Sequence, residues 1–165
     1  MDETTCMVDV ARYFLNFLAD ESCGKCVPCR EGIKRMLEIV VNITKGLGKE
    51  EDLKLLQELA ETVKDFSLCG LGQTAPNPVL STLRYFRDEY ETHVRDKKCP
   101  AGICKNLIEY YILENICTGC GSCLKLCPQK AIQGDPKKPH MIDSRKCIRC
   151  GICRDACTFE AIMIK

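Results

Sequence analysis

The cysteines constrain this chain more than any other feature, because it has 15 of them in 165 residues and most fall in regular groups. Three groups have the spacing C-x2-C-x2-C, which lets three thiolates on a short loop point at one centre, while a fourth must come from elsewhere. The odd count does not suit a closed disulfide framework. We therefore predict soft metal ligands in a reducing compartment. The cysteines are Cys6, Cys23, Cys26, Cys29, Cys69, Cys99, Cys104, Cys117, Cys120, Cys123, Cys127, Cys147, Cys150, Cys153 and Cys157.

Composition and charge exclude several classes of function. The 24 lysines and arginines balance 23 aspartates and glutamates, which gives no support to a polybasic nucleic-acid-binding protein. No stretch approaches the roughly 18 consecutive apolar residues of a membrane-spanning helix. The first five residues, MDETT, are acidic and polar, so we expect neither a secretory signal nor a transit peptide, and we expect a cytoplasmic location.

The C-terminal part contains an internal repeat, since CTGCGSCLKLCPQKAI aligns with CIRCGICRDACTFEAI thirty residues later. This pattern resembles the bacterial two-cluster ferredoxin domain, in which the fourth cysteine of each run binds the other cluster. The resemblance implies two [4Fe-4S] clusters. Thr158 stands where the first run has Pro128, and we expect altered hydrogen bonding to sulfur there without loss of binding. The alternative interpretation is a pair of zinc knuckles. The implied ligand sets are Cys117, Cys120, Cys123 and Cys157 for one cluster, and Cys147, Cys150, Cys153 and Cys127 for the other.

Short apolar segments around the repeat predict a small α+β domain. β-branched and aromatic residues indicate two paired strands, and a turn-rich segment separates two further short apolar segments. So small a domain cannot enclose a large apolar core, and we expect bound metal to supply much of its folding free energy. The expected strands are residues 107–112 and 161–164, the turn is 134–139 between 131–132 and 141–142, and short helices are expected to begin at Gly121 and Gly151.

The first 93 residues follow a helical period instead. Four amphipathic stretches with short connections predict a small four-helix bundle, and we expect the apolar stripes to form its core. The stripes are Val10, Phe14, Phe17 and Leu18; Ile33, Met36, Leu37, Val40 and Val41; Leu53, Leu56, Leu59, Ala60 and Val63; and Val79, Leu83, Phe86 and Tyr90.

Two connections of this bundle carry cysteines, within ESCGKCVPCREG at residues 21–32 and SLCGLGQT at residues 67–74. In an antiparallel bundle these connections lie at the same end, so Cys69 completes the site that the three cysteines of the first connection begin. A helix expected to start after Cys29 would aim its N-terminal amides at an anionic cluster. Spacing alone also allows a four-thiolate zinc site. The candidate ligands are Cys23, Cys26, Cys29 and Cys69.

These loops carry a second resemblance. ESCGKCVPCREG followed by SLCGLGQTAPNPV is similar to the cluster-binding C-terminal domain of the NADH-binding flavoprotein subunit of complex-I-type enzymes. That family includes the NADH dehydrogenase flavoprotein, NAD-linked formate dehydrogenases and the beta subunit of multimeric iron-only hydrogenases. The resemblance covers residues 6–93 and implies that the four cysteines hold the [4Fe-4S] cluster that takes electrons from flavin. The two-cluster extension resembles the hydrogenase beta subunits, notably the electron-bifurcating ones.

Three cysteines remain after twelve are assigned to clusters. Cys99 and Cys104 form a C-x4-C turn shortly after His93, and three thiolates with one imidazole are a ligand set that structural zinc accepts. Cys6 precedes the first helix and His93 ends the fourth, so an antiparallel bundle makes them neighbours. We therefore predict a zinc site on these four residues. His140 is the rival histidine, although we expect it on the surface. Alternatively, Cys6 is a small buried residue and the other two thiols are free or weakly paired.

Together these features predict an electron-transfer module within a larger oxidoreductase. The resemblance implies that it relays electrons through three [4Fe-4S] clusters between flavin and NAD(P)H chemistry and ferredoxin or hydrogenase partner subunits. The implied enzyme is an NAD(P)-linked iron-only hydrogenase of the group that includes electron-bifurcating members. The expected partners are the other hydrogenase subunits and external ferredoxin, and neither nucleic acid nor membrane. The expected division is a helical bundle over residues 1–93, a linker with the zinc site over 94–105 and a ferredoxin domain over 106–165.

No catalytic residue is expected in this chain. It contains neither a G-x-G-x-x-G motif nor a nucleophile constellation. The resemblance to the flavoprotein subunits implies that FMN and NAD(P) bind in an upstream part of the subunit. Two alternatives remain open: the same module in an NADH dehydrogenase or a formate dehydrogenase, and a non-enzymatic Fe–S or zinc sensor protein.

Overall fold

The computed structural model describes residue 2 and residues 4–165, and it divides the chain into two compact units. The first unit extends to Leu107 and the second begins at Ile108. Residues 94–105, expected to be a linker, lie inside the first unit. The prediction that the N-terminus carries no targeting signal rests partly on residues 1 and 3, which are outside the described residues. Of the described helices, none is both long enough and apolar enough for a membrane span.

Three long helices form the frame of the first unit, and they are α1 (Met7–Glu21), α2 (Val27–Thr44) and α3 (Glu50–Phe66). α2 packs against both of the others. The predicted stripes of α2 and α3 are confirmed in their central positions, because residues at i, i+3 and i+7 of each helix turn inward. The buried members are Ile33, Met36 and Val40 on α2, and Leu53, Leu56, Ala60 and Val63 on α3.

The buried face of α1 differs from the one predicted. Val8, Ala11 and Leu15 are fully buried, whereas Phe14 and Phe17 are 41% and 53% exposed. The predicted core position of these two phenylalanines is therefore wrong. The sequence of α1, MVDVARYFLNFLADE, has one polar stripe, and its apolar face is wide, so the helical period alone does not decide which part of that face turns inward.

The predicted fourth helix is interrupted. After the short α4 (Gly70–Thr74), α5 (Asn77–Tyr85) ends at Phe86, whose φ of −130° and ψ of 37° lie outside the helical region. α6 (Arg87–Glu91) follows and continues directly into a π-helical turn, Thr92–Asp96. α5 packs against α1 and α3 and so completes the helical layer.

A buried polar contact accompanies this break. The Tyr90 hydroxyl lies 2.8 Å from Thr82 Oγ1, and the Tyr90 side chain is fully buried. In a continuous helix, residues eight apart are separated by about 12 Å along the axis, beyond the reach of this pair. The chain must therefore bend at Phe86 for the two hydroxyls to meet, and Phe86 itself is left 43% exposed rather than in the core.

The second unit is a small α+β structure with two antiparallel two-stranded sheets. The first sheet pairs Ile112 with Ile162, and the second pairs Ile142 with Ile132. The predicted first strand begins at residue 107, but Lys105–Leu107 is a 3-10 turn and the observed strand begins at Tyr110. The elements are β1 (Tyr110–Ile112), α7 (Ser122–Leu126), β2 (Ile132–Gln133), β3 (Met141–Ile142), α8 (Ile152–Asp155) and β4 (Ile162–Ile164).

The backbone of this unit repeats with an offset of thirty residues. β1 corresponds to β3, β2 to β4 and α7 to α8. Both helices begin after a glycine in the left-handed region, Gly121 at φ 78° and Gly151 at φ 85°, where other residues are disfavoured. The two strand pairs are therefore symmetry equivalents, and any difference between the halves comes from side chains.

Candidate metal centres

Twelve of the cysteines line three separate cavities, four cysteines to each. We name these cavities the N-terminal cage, cage A and cage B. The four cysteines of each cavity are those of one predicted ligand set. The N-terminal cage contains Cys23, Cys26, Cys29 and Cys69; cage A contains Cys117, Cys120, Cys123 and Cys157; and cage B contains Cys127, Cys147, Cys150 and Cys153.

The N-terminal cage is built where α2 and α4 begin. Cys26 is the N-cap of α2, Cys29 lies in its first turn, and Cys69 is the N-cap of α4. The expectation that α2 starts after Cys29 is therefore wrong by one turn, and Pro28 at the second helical position is compatible with the earlier start. The start of a helix 18 residues long places unpaired N–H groups and a positive dipole end beside the thiols.

Local contacts divide the thiols of this cage into two kinds. Hydrogen bonds from the backbone N–H groups of Leu68 and Cys29 lower the pKa of the Cys26 thiol. Burial raises the pKa of the Cys29 thiol, although the Ser22 hydroxyl, 3.3 Å from Cys29 Sγ, opposes that effect. A buried thiol of this kind ionises readily only when a cation replaces its proton.

The third cysteine of every C-x2-C-x2-C run has the same position and the same property. Cys29, Cys123 and Cys153 each lie in the first turn of a helix and are buried. Burial raises the pKa of all three thiols, that of Cys153 to about 11. Each cage therefore has one thiol directed into the protein and others nearer the surface, an arrangement that encloses a bound group on one side.

Backbone N–H groups donate to sulfur at equivalent positions of cages A and B. The Ala131 amide donates to Cys127 Sγ at 3.2 Å, and the Ala161 amide donates to Cys157 Sγ at 3.4 Å. Thr158 replaces the proline of the first run, a change expected to alter hydrogen bonding to sulfur. The bond from the Ala161 amide to Cys157 Sγ is present nevertheless. Donors to thiolate sulfur fit an anionic all-thiolate cluster, because they stabilise negative charge on its ligands.

The prediction that His140 lies on the surface is wrong. Its side chain is only 2% exposed and lines cage A. The ring Nδ1 lies 4.0 Å from Cys117 Sγ. His140 is also not the histidine of the predicted zinc site, since the structure places it in the second unit, whereas the three remaining cysteines belong to the first.

Cys6, His93, Cys99 and Cys104 come together in a fourth cluster, which we name the mixed site. All four are buried, and their ligand atoms lie within 4.8 Å of one another. Cys6 Sγ is 3.4 Å from His93 Nε2 and 3.8 Å from Cys104 Sγ. Cys6 is the N-cap of α1, and His93 lies in the π-helical turn, a distortion often found at functional sites.

Hydrogen bonds orient the groups of the mixed site. His93 Nδ1 donates to the Glu89 carbonyl at 2.7 Å, so Nε2 faces the sulfurs. Burial lowers the pKa of His93, but hydrogen bonds with Cys6 and Cys99 raise it more, to about 10. Hydrogen bonds from Cys104 and Cys6 lower the pKa of Cys99, whereas contact with Cys6 and Cys99 raises that of Cys104. Such crowded thiols cannot all ionise without a cation.

Sequence reasoning missed the residues that support the ligands rather than provide them. Ser22 hydrogen-bonds a cage thiol, Glu89 orients the mixed-site histidine and Tyr110 lines cage B. Two of these had a signal in the sequence, because Glu89 stands four residues before His93 on a helix and Ser22 precedes the first cysteine of its run. The position of Tyr110 against a cage depends on the fold of the second unit, which no local pattern contains.

Each of the two units matches a different known protein family. Residues 9–93 match the family described as the NADH-ubiquinone oxidoreductase-F iron-sulfur binding region, and residues 116–164 match the 4Fe-4S dicluster domain. The NADP-reducing hydrogenase subunit HndC of Solidesulfovibrio fructosivorans is 55% identical over 163 residues, which are 99% of this chain and 33% of HndC. The mitochondrial NADH-ubiquinone oxidoreductase 51 kDa subunit of Neurospora crassa is 38% identical over 95 residues, 58% of this chain and 19% of that protein.

A solved structure is also similar to part of this chain. The crystal structure of an NAD⁺-reducing [NiFe]-hydrogenase in the H₂-reduced state matches 58% of this chain and 17% of its own chain, with a TM-score of 0.55 and 33% identity. The chain therefore spans a third or less of the length of these relatives. It belongs to the family of the NADH-ubiquinone oxidoreductase-F iron–sulfur binding region, and it carries a 4Fe-4S dicluster domain behind that region.

Proposed function

We propose that this chain is an electron-transfer module with one [4Fe-4S] cluster in the N-terminal cage and one in each of cages A and B. The observation that carries the proposal is the sorting of twelve cysteines into three cavities with four thiols each. Identical donor sets suit three groups of one kind. Zinc sites of four thiolates usually combine two C-x2-C pairs, whereas each of these cages combines a C-x2-C-x2-C run with one distant cysteine.

When bound, the clusters supply one-electron transfer. The protein holds them through thiolates from two separate segments per cage, which limits movement of the ligands between oxidation states. The amides of Ala131, Ala161 and Arg149 donate to cysteine sulfur and stabilise added negative charge. The buried third cysteine of each run keeps water away from one side of the cage, and this low-dielectric side strengthens the same hydrogen bonds.

The parent enzyme that we propose is an NAD(P)-linked iron-only hydrogenase, of the group that includes electron-bifurcating members. The relative HndC, a subunit of an NADP-reducing hydrogenase, aligns with both units, whereas the Neurospora 51 kDa protein aligns with 58% of the chain. That difference favours a hydrogenase over an NADH-ubiquinone oxidoreductase. In this proposal the chain relays electrons between flavin and NAD(P)H chemistry, located outside it, and ferredoxin or hydrogenase partner subunits in a reducing cytoplasm.

Zinc is the ion that we propose for the mixed site. Tetrahedral zinc with Zn–S bonds of about 2.3 Å places two sulfurs about 3.8 Å apart. Cys6 Sγ and Cys104 Sγ are 3.8 Å apart. Four ligands to four different irons of a cubane would lie farther apart than four ligands to one ion. The spacing therefore favours a single ion, and the full set of four protein ligands indicates a structural rather than a catalytic zinc.

Metal analysis and EPR of anaerobically prepared protein test this proposal. We expect about twelve irons with equal sulfide and one zinc per chain, and EPR signals of interacting clusters after reduction. The Cys69→Ala variant should lose about four irons and keep the interacting pair of the second unit. The Cys6→Ser variant is the matched control and should keep its iron while losing zinc. Colourless protein with zinc in the cages would overturn the proposal.

The relay itself needs a kinetic measurement. Reduced chain mixed with an oxidised bacterial two-cluster ferredoxin should transfer electrons within the mixing time of a stopped-flow experiment, because outer-sphere transfer between iron–sulfur proteins requires no bond making. A chain that is loaded with iron but transfers no electrons to ferredoxin would contradict this part of the proposal.

A further inference from the structure

The thirty-residue repeat extends upstream of the cysteines and relates two residues of different chemistry. Position 110, at the start of β1, corresponds to position 140, immediately before β3. The first is Tyr110 and the second is His140. Both side chains are buried, at 9% and 2% exposure, and each lines one cage. The repeat therefore gives cages A and B equivalent backbones with different side chains at one corresponding position.

His140 faces the sulfur of a cage A ligand. Its Nδ1 lies 4.0 Å from Cys117 Sγ, at the outer limit of an N–H···S hydrogen bond. The loop at Gly134 closes over the other side of the ring, because a Cβ atom there would lie 2.6 Å from His140 Cδ2. The imidazole is thus held between Gly134 and Cys117 and cannot turn toward solvent.

Tyr110 faces cage B, and among the described contacts its hydroxyl makes no hydrogen bond to a cysteine sulfur. Its hydroxyl lies beside Gly151, 3.2 Å from the place where a Cβ atom of that residue would be. The aromatic ring lines the cavity with Cys147, Cys150 and Cys153. The Arg149 amide, 3.4 Å from Cys147 Sγ, supplies a backbone donor in cage B instead. The side-chain donor of cage A therefore has no counterpart at position 110.

We propose that His140 raises the reduction potential of the cage A cluster by donating its Nδ1–H to Cys117 Sγ, an inference that rests on the proposed function. A hydrogen bond to a thiolate ligand stabilises the reduced cluster more than the oxidised one, because the added electron increases negative charge on sulfur. His140 acts through Cys117 and does not bind iron itself. Its substitution therefore changes the potential of cage A and leaves that of cage B unchanged.

Redox titration of the 165-residue chain, followed by EPR, tests this inference. His140→Leu removes the donor, and the ratio of reduced to oxidised cage A cluster at a fixed potential should fall about threefold to tenfold, tenfold being about 59 mV. His140→Asn places an amide N–H near the position of Nδ1 and should restore most of the lost potential. Tyr110→Phe is the matched control at the equivalent position, and it should leave the cage A potential unchanged.

Pulsed EPR on protein with ¹⁵N-labelled histidine supplies a readout that a purely structural role would not give. The reduced cage A cluster should show coupling to an imidazole nitrogen, and this coupling should disappear in His140→Asn. His93, the other histidine of the chain, remains labelled in that variant and provides the internal control.

The inference and the proposed function fail in different ways. Equal cage A potentials in wild-type protein and His140→Leu, with about twelve irons in both, would overturn the inference and leave the electron-transfer proposal intact. An absence of histidine coupling in the reduced wild-type protein would also overturn it. Loss of iron from the wild-type protein itself would overturn the proposed function, which metal analysis of the same samples establishes before any titration.

Discussion

Removal of the mixed-site metal should strongly lower the stability of the first unit. The site joins Cys6, before the first helix, to Cys104, 98 residues later, through ligands that are at most 6% exposed. Chelation leaves three thiols and one imidazole crowded in a space that water does not reach, and it also removes the link between the two ends of the unit. Zinc that binds only the folded state therefore acts as a folding ligand.

The size of the effect follows from linkage. Free zinc at 100 times its dissociation constant stabilises the folded state by about 2.7 kcal/mol. For a unit of 107 residues, each kcal/mol corresponds to roughly 4 to 8 °C in melting temperature. We therefore expect the first unit to melt about 10 to 20 °C lower after chelation.

Anaerobic melting curves measured by far-ultraviolet circular dichroism provide the assay, because the long helices all lie in the first unit. Each variant is compared with itself, with and without zinc, so the cost of any cavity cancels. His93→Ala should bind no zinc and show no zinc-dependent change in melting temperature. His140→Ala is the matched control, since it also removes a buried imidazole and should retain one zinc and the full response.

Two results would refute the reasoning. The first is a wild-type chain that melts at the same temperature with and without zinc while its iron content stays constant. The second is a His93→Ala variant that still binds one zinc per chain. Either result would mean that the four buried groups pack as a small polar cluster rather than as ligands, and the 3.8 Å sulfur separation would then reflect thiol hydrogen bonding.

Two further predictions concern the backbone of cage A and the break in the fourth helix. Gly119→Ala should lose the cage A cluster and about four irons, since φ is +69° there and a Cβ atom would strike the backbone of the 137–138 turn. Arg149→Ala, at the equivalent position of the repeat, should keep all its iron. Thr82→Val should cost about 1 to 3 kcal/mol in the free energy of unfolding measured with denaturant, because it leaves the buried Tyr90 hydroxyl unpaired. An unchanged iron content in the first variant, or an unchanged midpoint in the last, would contradict these contacts.

The groupings of the cysteines can be anticipated because their causes are local. A C-x2-C-x2-C run brings three thiols together within one loop, so only one partner per cage remains to be found. For cages A and B the resemblance to two-cluster ferredoxins implies that partner, and for the N-terminal cage the two loops at one end of the helices indicate it. Burial and hydrogen bonding of the individual thiols depend on side chains from other segments, and no spacing rule contains them.

Two features of the helices could not be predicted from local sequence patterns. On α1 the apolar face is wide enough to contain both residues, so the choice of Leu15 over Phe14 for the core depends on the shape of the neighbouring helices. The break at Phe86 also involves distant positions, because the hydroxyls of Thr82 and Tyr90, eight residues apart, can meet only where the helix is interrupted. In both places the structure depends on contacts between different segments, and the apolar periodicity of a single helix contains no information about such contacts.

The burial of His140, in contrast, can be derived from the repeat. An alignment that starts at the first cysteine of each run stops short of it, but the offset of thirty residues continues upstream to β1 and β3. Tyr110 occupies a strand position that is expected to pack, so its equivalent at position 140 should be buried for the same reason, whatever its polarity. A buried histidine needs a partner, and the nearest polar atoms in a cage of thiols are sulfurs. A difference in residue type between equivalent buried positions of a repeat, such as Tyr110 and His140, therefore indicates a position where the side chain has a function beyond packing.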